Sequence, residues 1–289
     1  MALPNGPGDG GAWSVGDCHG RETAGIAGCR YAGRVNGEGF DNGAGAWSRC
    51  DNTPREVGMF EAIALDADDT LWENETFFRA TEADFAALLS EHADPDLVNA
   101  RLVATEMRNL SRYGFGIKGF MLSMVQTAIE LTEGRIDGNS IGRIIEMGQD
   151  MLSHPVHLLE GVEQVLATLE GRHLLLITKG DLIDQERKIA ASGLAGHFAG
   201  VEILADKTPA SYASVLARRA IAPERFLMAG NSMKSDVMPV IRIGGTGVFI
   251  PHDLTWSLEH AEPQQDESYH ELAAIAQLPV LIDELEGRS

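Results

Sequence analysis

An apolar run, Ile63-Ala64-Leu65, has strand character and ends abruptly in Asp66-Ala67-Asp68-Asp69-Thr70. Three carboxylates within four positions at the end of a buried strand repel one another, and a bound cation is the usual compensation. In open α/β sheets, ligand chemistry gathers just beyond the carboxyl ends of the strands. This stretch therefore constrains the chain to a sheet whose strand ends share a polar site, and it suggests a Mg²⁺-assisted reaction with an Asp nucleophile.

The 289 residues suffice for one large domain or two modest ones with a real core. Acids outnumber bases by 43 to 23, a formal net charge of -20. That balance argues against a nucleic-acid or anionic-membrane partner, because phosphate backbones demand clustered Lys and Arg. No apolar run is long enough to span a bilayer. No basic start is followed by an apolar segment, and the three cysteines, Cys18, Cys29 and Cys50, imply no disulfide framework, so a cytoplasmic location is expected.

Residues 1–58 are crowded with Gly, Asn, Asp and Ser and lack apolar periodicity, which predicts a disordered tail. Paired C-x-x-C spacing is absent, so Cys18, His19, Cys29 and Cys50 make a poor zinc set. The folded part is expected to begin near Met59. Residues 73–154 show helical spacing and no convincing strand, which predicts a helical block. From residue 155 to 289 strands and helices alternate, with strands expected at 173–177, 201–204, 226–229 and 247–250. A final strand and helix are expected within 271–285. Such alternation implies right-handed crossovers and a mainly parallel sheet, assembled from residues 59–72 and 155–289.

The strand ends carry Asp66 and Asp68, then Thr178-Lys179-Gly180, then Asp206-Lys207-Thr208-Pro209, then Gly230-Asn231 through Asp236. In order and spacing this series resembles the haloacid dehalogenase (HAD) superfamily of phosphohydrolases, with a C1-type helical cap inserted after the first motif. The resemblance covers residues 59–250. It implies an α/β fold with a Rossmann-like three-layer core, a mainly parallel sheet and an inserted α-helical cap.

It also implies a Mg²⁺-dependent phosphohydrolase acting on small phosphomonoesters through an aspartyl-phosphate. In that chemistry Asp66 attacks phosphorus and Asp68 protonates the leaving group. Acidic neighbours are expected to favour the protonated form of Asp68. Thr178 holds phosphoryl oxygens, and Lys207 balances negative charge. The metal set implied is Asp66, Asp68 through its backbone carbonyl, Asn231 and Asp236. Many relatives carry Asp where this chain has Asn231, an amide that brings no charge. Substrate contacts are expected from Thr178, Lys179, Asp69 and Lys118, although Asp69 also reads as a turn acid. Trp72 and Glu73 at the cap hinge, and the Gly114–Gly119 loop with Phe115, are further candidates for substrate choice. Trp256 and Glu259 lie beyond the motifs and receive no role.

The partner expected is a small phosphorylated metabolite, with the chain a monomer or homodimer. A metal-free haloacid dehalogenase is the alternative, but such enzymes typically lack the second acid. A catalytically weak binding protein is the other, and Asn231 is the feature favouring it.

Overall fold

The computed structural model describes residues 60–254, 256, 259, 261 and 268–288. The expectations for residues 1–58 lie outside the described residues.

Short apolar runs bounded by turns form a six-stranded, fully parallel sheet. Its strands are β1 (Ala62–Leu65), β2 (Leu174–Lys179), β3 (Gly200–Leu204), β4 (Phe226–Gly230), β5 (Thr246–Phe249) and β6 (His270–Glu271). Their order is β3-β2-β1-β4-β5-β6. The chain moves outward from β1 on one side and then crosses to β4 on the other. The switch point therefore lies between β1 and β4, where such sheets open a crevice at their carboxyl ends. Register places Leu65 opposite Leu176 and Ala229, so Asp66 emerges level with the end of β4.

Both faces of the sheet are covered, which explains why the central strands read as unbroken apolar runs. Alternate residues separate into two cores. Ile63, Leu65, Leu174, Leu176, Leu227 and Ala229 pack with α5 (Val162–Thr168) and α9 (Leu278–Leu285). Ala62, Ala64, Leu175, Ile177 and Met228 pack with Tyr212, Val215 and Leu216 of α7 (Pro209–Arg219). α6 (Leu182–Ser192) connects β2 to β3. After β4 the backbone makes one π-helical turn over Met233–Val237 before the short α8 (Met238–Ile241).

Between β1 and α5 lie four helices: α1 (Glu75–Leu88), α2 (Pro95–Tyr113), α3 (Ile117–Leu131) and α4 (Gly138–Ser153). They bury their own core of Phe85, Leu89, Val98, Leu102, Phe120, Met124, Ile144 and Met151. Asp94 accepts from the Leu97 N–H and Pro95 begins the first turn, so α2 starts where that pair predicts. Trp72 stands where the chain leaves the sheet. It is fully buried and bridges to Leu158, where the chain returns. The expectation that Trp72 faces substrate is thereby corrected: the indole is a hinge anchor.

Candidate active site

The loop after β1 is folded tightly on itself. The amides of Leu71 and Trp72 both donate to the Ala67 carbonyl, and the Asp69 amide donates to the Trp72 carbonyl at 2.7 Å. Asp69 takes φ 58°, a left-handed conformation that Asp tolerates better than most residues. Its carboxylate receives the amides of Asn74 and Glu75 at 2.8 and 3.0 Å. Burial pushes it up to about 6. Asp69 borders the cavity, but these backbone donors engage its oxygens and make it a brace for the loop and for the start of α1.

Asp66 is buried at the switch point. Lys207 Nζ donates to its Oδ1, and the Thr70 hydroxyl lies 3.1 Å from its Oδ2. Lys207 also donates to Asp236 at 2.6 Å and is itself buried. Burial and the nearby Asp236 push Asp66 up to about 7, against the pull of Lys207. Burial opposes the charge of Lys207, yet Asp236 and Asp66 hold it protonated above the ordinary lysine range. Local sequence fixes that lysine. Thr208 and Ser211 form a reciprocal capping box and Pro209 opens α7, so Lys207 is held one residue ahead of a rigid helix start.

Asp236 sits in the π-helical turn, a local widening common at functional sites. The Ser232 amide donates to its Oδ2 at 2.9 Å, and the Tyr212 hydroxyl donates to the Ser235 carbonyl. Gly230 is required here, because a Cβ at that position would lie 2.3 Å from Asp236 Oδ2. Asn231 meets the other side: its amide donates to Thr70 Oγ1 at 3.1 Å, and that hydroxyl is 3.4 Å from its side-chain oxygen.

Asp68 has different neighbours. Lys188 Nζ donates to its two oxygens at 2.7 and 2.8 Å, Gln185 Nε2 at 2.8 Å and Trp72 Nε1 at 2.7 Å. Burial opposes ionisation, but Lys188 foremost, with Gln185 and Trp72, holds the carboxyl below its usual range. The expectation that acidic neighbours keep Asp68 protonated is therefore corrected. A lysine and two neutral donors outweigh them.

Asp66, Asp68, Thr178, Lys179, Lys207, Asn231 and Asp236 all border one cavity of about 150 Å³. Lys179 donates to Ser235 at 2.7 Å and to Glu259, and its ammonium stands 4.1 Å from the Phe115 ring centroid. Phe115 also meets the Trp256 ring edge-on, joining the helical insertion to the core across the mouth. Lys118 is not among the lining residues. It is about half-exposed and pairs with Asp181 at 2.9 Å. Its expected substrate contact is corrected, because α3 begins at Ile117 and places Lys118 outside the cavity.

Four participants escaped the sequence reading. Lys188 and Gln185 lie on α6, where Asp184, Gln185 and Lys188 are all buried at helical spacing. That polar stripe on an inward face was the available signal. Glu259 accepts from Ser232, Ser235 and Lys179, but lies in a polar stretch with no period to mark it. Trp256 shares that stretch.

The family profile for haloacid dehalogenase-like hydrolases matches residues 60–244. A haloacid dehalogenase-like family hydrolase from Xanthomonas campestris is 41% identical over 81% of this chain and 96% of its own, with a TM-score of 0.72. The L-2-haloacid dehalogenase from Xanthobacter autotrophicus, with chloropropionic acid covalently bound, shares 17% identity over 77% of this chain and 98% of its own, with a TM-score of 0.57. A HAD phosphatase from Thermococcus onnurineus shares 16% over 77% and 98%, with a TM-score of 0.51. Among curated proteins no match is found. Both of these distant relatives share the fold. The profile match across the strand-end series, together with the Xanthomonas relative, establishes that the chain belongs to the haloacid dehalogenase-like hydrolase family.

Proposed function

We propose that the protein is a Mg²⁺-dependent phosphatase of small phosphomonoesters, with the four-helix insertion acting as a cap over the site. The observation that carries this reading is a second carboxylate, Asp68, in the same cavity as the nucleophile candidate Asp66. A displacement at carbon needs only the nucleophile, whereas expelling an alkoxide from phosphorus needs a proton as well.

The donor set suits Mg²⁺. Asp66, the Asn231 amide oxygen and the Asp68 carbonyl are hard oxygen ligands, and Mg²⁺ is commonly held by one or two carboxylates together with substrate and water. Asp66 and Asp236 share the single ammonium of Lys207, which leaves one uncompensated negative charge in a buried place. Asp236 is committed to Lys207 and the Ser232 amide, so it would act by positioning, and Asp66 with Asn231 would hold the ion. When bound, the ion neutralises charge on the phosphoryl oxygens.

The chain's own residues supply the remainder. Asp66 attacks phosphorus while Lys207 holds its carboxylate in place. Thr178, buried at the end of β2, orients a phosphoryl oxygen. The leaving oxygen takes its proton from the Asp68–Lys188 pair, whose mobile proton resides on Lys188 and crosses the 2.7 Å contact through Asp68. In the second half-reaction Asp68 accepts a proton from the attacking water and returns it to Lys188. The water's oxygen bonds to phosphorus as the Asp66–phosphorus bond breaks.

The alternative is metal-free haloacid displacement. Its support is the Lys207 bridge, which already supplies a cation to Asp66. One assay separates the two: p-nitrophenyl phosphate hydrolysis with and without Mg²⁺, beside halide release from 2-chloropropionate. Hydrolysis that needs Mg²⁺ and vanishes in Asp66→Asn is expected. Halide release without phosphate release would overturn the phosphatase reading.

A further inference from the structure

The roof of the cavity carries carboxyl groups that the proposed chemistry does not use. On α1 one inward stripe runs Glu75, Phe78, Glu82, Phe85, and on α2 another runs Val98, Leu102, Glu106, Asn109. The apolar halves of the two stripes meet in the core of the insertion. Their polar halves, Glu75, Glu82 and Glu106, lie at the cavity wall. All three glutamates are at least nine-tenths buried.

Among the described residues one cation pairs with this trio. Arg79 reaches Glu75 and Glu82 at 3.0 Å each. Among the described residues Glu106 Oε2 is buried with no hydrogen-bond partner, and Glu75 Oε1 has only the ion pair with Arg79. An unsatisfied buried oxygen costs about 1–3 kcal/mol, so a stripe that could have been apolar throughout is carrying a penalty. Buried, unpaired acids in a cleft are characteristic of binding sites.

We propose that this acidic wall receives an ammonium group, so that the substrate is a small phosphomonoester whose alcohol portion carries a primary amine. The substrate class rests on the phosphatase reading, whereas the cation-binding wall does not. A protonated amine brings the missing charge and up to three donors for the unpaired oxygens. Burial with the nearby Glu82 and Glu75 raises Glu106 to about 8, and burial with the nearby Asp69 raises Glu75 to about 7 against the pull of Arg79. The division of labour is then simple: the strand ends hold the anionic end of the substrate and the helices hold the cationic end.

Non-hydrolysable phosphonates test this without turnover. Calorimetry compares 2-aminoethyl-, 3-aminopropyl- and 4-aminobutylphosphonate with the plain alkylphosphonates of the same lengths, in the presence of Mg²⁺. At least one amino compound is expected to bind about 10²-fold more tightly than its plain counterpart, because buried polar groups reject a ligand that leaves them unpaired. In Glu106→Gln and Glu82→Gln that ratio should fall to about threefold or less. Equal binding of every pair, or a preference that survives both substitutions, would overturn the proposal. If no phosphonate binds and p-nitrophenyl phosphate is not hydrolysed, the phosphatase reading has failed, and titration with n-propylammonium decides the wall alone. Saturable heat that is lost in Glu106→Gln upholds it; absence of heat overturns it.

Discussion

The floor and the roof of the cavity solve the same electrostatic problem in opposite ways. On the floor each of three carboxylates contacts a lysine: Asp66 and Asp236 share Lys207, and Asp68 has Lys188. On the roof Glu75 and Glu82 share Arg79, and Glu106 retains an unpartnered oxygen. The floor is built on strand-end loops fixed by sheet register and carries two lysines for three carboxylates, so it is one charge short of balance. The roof is built on helix faces and remains short of positive charge. A catalytic constellation benefits from having its hydrogen-bond partners in place before substrate arrives, because its dipoles then need not reorganise during reaction. A recognition surface benefits from being incomplete, because the ligand then supplies what is missing.

Breaking the floor should have the largest consequences. Asp66→Asn removes the nucleophile and leaves Lys207 its partner Asp236, so turnover should fall about 10⁴-fold or more while the fold persists. Measured kcat and a melting curve on the same sample check both halves. Lys207→Met is the harsher change for the fold. It leaves two carboxylates buried without their cation, a loss of about 3–5 kcal/mol in chemical denaturation, with activity abolished as well. A stable Lys207→Met variant would show that the floor does not depend on internal pairing.

The Asp68–Lys188 pair comes next. Asp68→Asn and Lys188→Met should each lower kcat/KM by about 10²–10⁴-fold. The double variant should be no worse than the weaker single one, because the two groups pass one proton. Stability carries a separate signature. The Asp68 carboxyl is held below its ordinary value in the fold. It therefore contributes stability that is fully present above the unfolded value of about 4 and is lost as pH falls through the lowered value. The stability gap between wild type and Lys188→Met should be full at pH 7 and close below about pH 4. A gap independent of pH would mean that Lys188 acts by packing.

The two regions also differ in how far the sequence discloses them. The sheet was legible because strands buried on both faces must be continuous apolar runs, and Leu174–Ile177 and Phe226–Ala229 are just that. Asp66, Asp68, Thr178, Lys207 and Asp236 were legible because a parallel sheet brings all its strand ends to one side. Helix-borne residues are harder to place, since a side chain's direction depends on how the helix is rotated and docked. Lys188 therefore went unnoticed, although a buried polar stripe on α6 marks it, and Glu75, Glu82 and Glu106 received no role. Lys118 was misplaced for the same reason: Phe115, three residues earlier, faces the cavity, but the first turn of α3 carries Lys118 away.

The roof's charge deficit gives a smaller effect with its own pH dependence. Glu106 is raised to about 8 in the fold against an ordinary value of 4.5. A group raised in this way contributes stability below its unfolded value and loses it as pH rises through the folded one. Wild type should therefore weaken relative to Glu106→Gln as pH rises from about 4.5 to 8. Melting both proteins across that range, without amine, checks it. Near-constant differences would mean that Glu106 is already paired and that the roof resembles the floor.

The smallest expected effect belongs to Lys118, the one lysine on the insertion that the sequence placed near substrate. Its pair with Asp181 is partly exposed, and Asp181 independently caps α6 by accepting the Asp184 amide at 3.1 Å. Exposed pairs of this kind contribute about 0.2–1 kcal/mol and are screened by salt. Lys118→Ala should therefore cost less than about 1 kcal/mol, with the loss fading in concentrated salt, and KM should not change. Asp181→Ala should cost about 1 kcal/mol more, since the helix cap goes with the pair. A rise in KM for Lys118→Ala at unchanged stability would place a cation of the insertion at the substrate. The contrast between a lysine-paired floor and an acidic roof would then have to be redrawn, because the roof would hold a cation that the static pairing with Asp181 conceals.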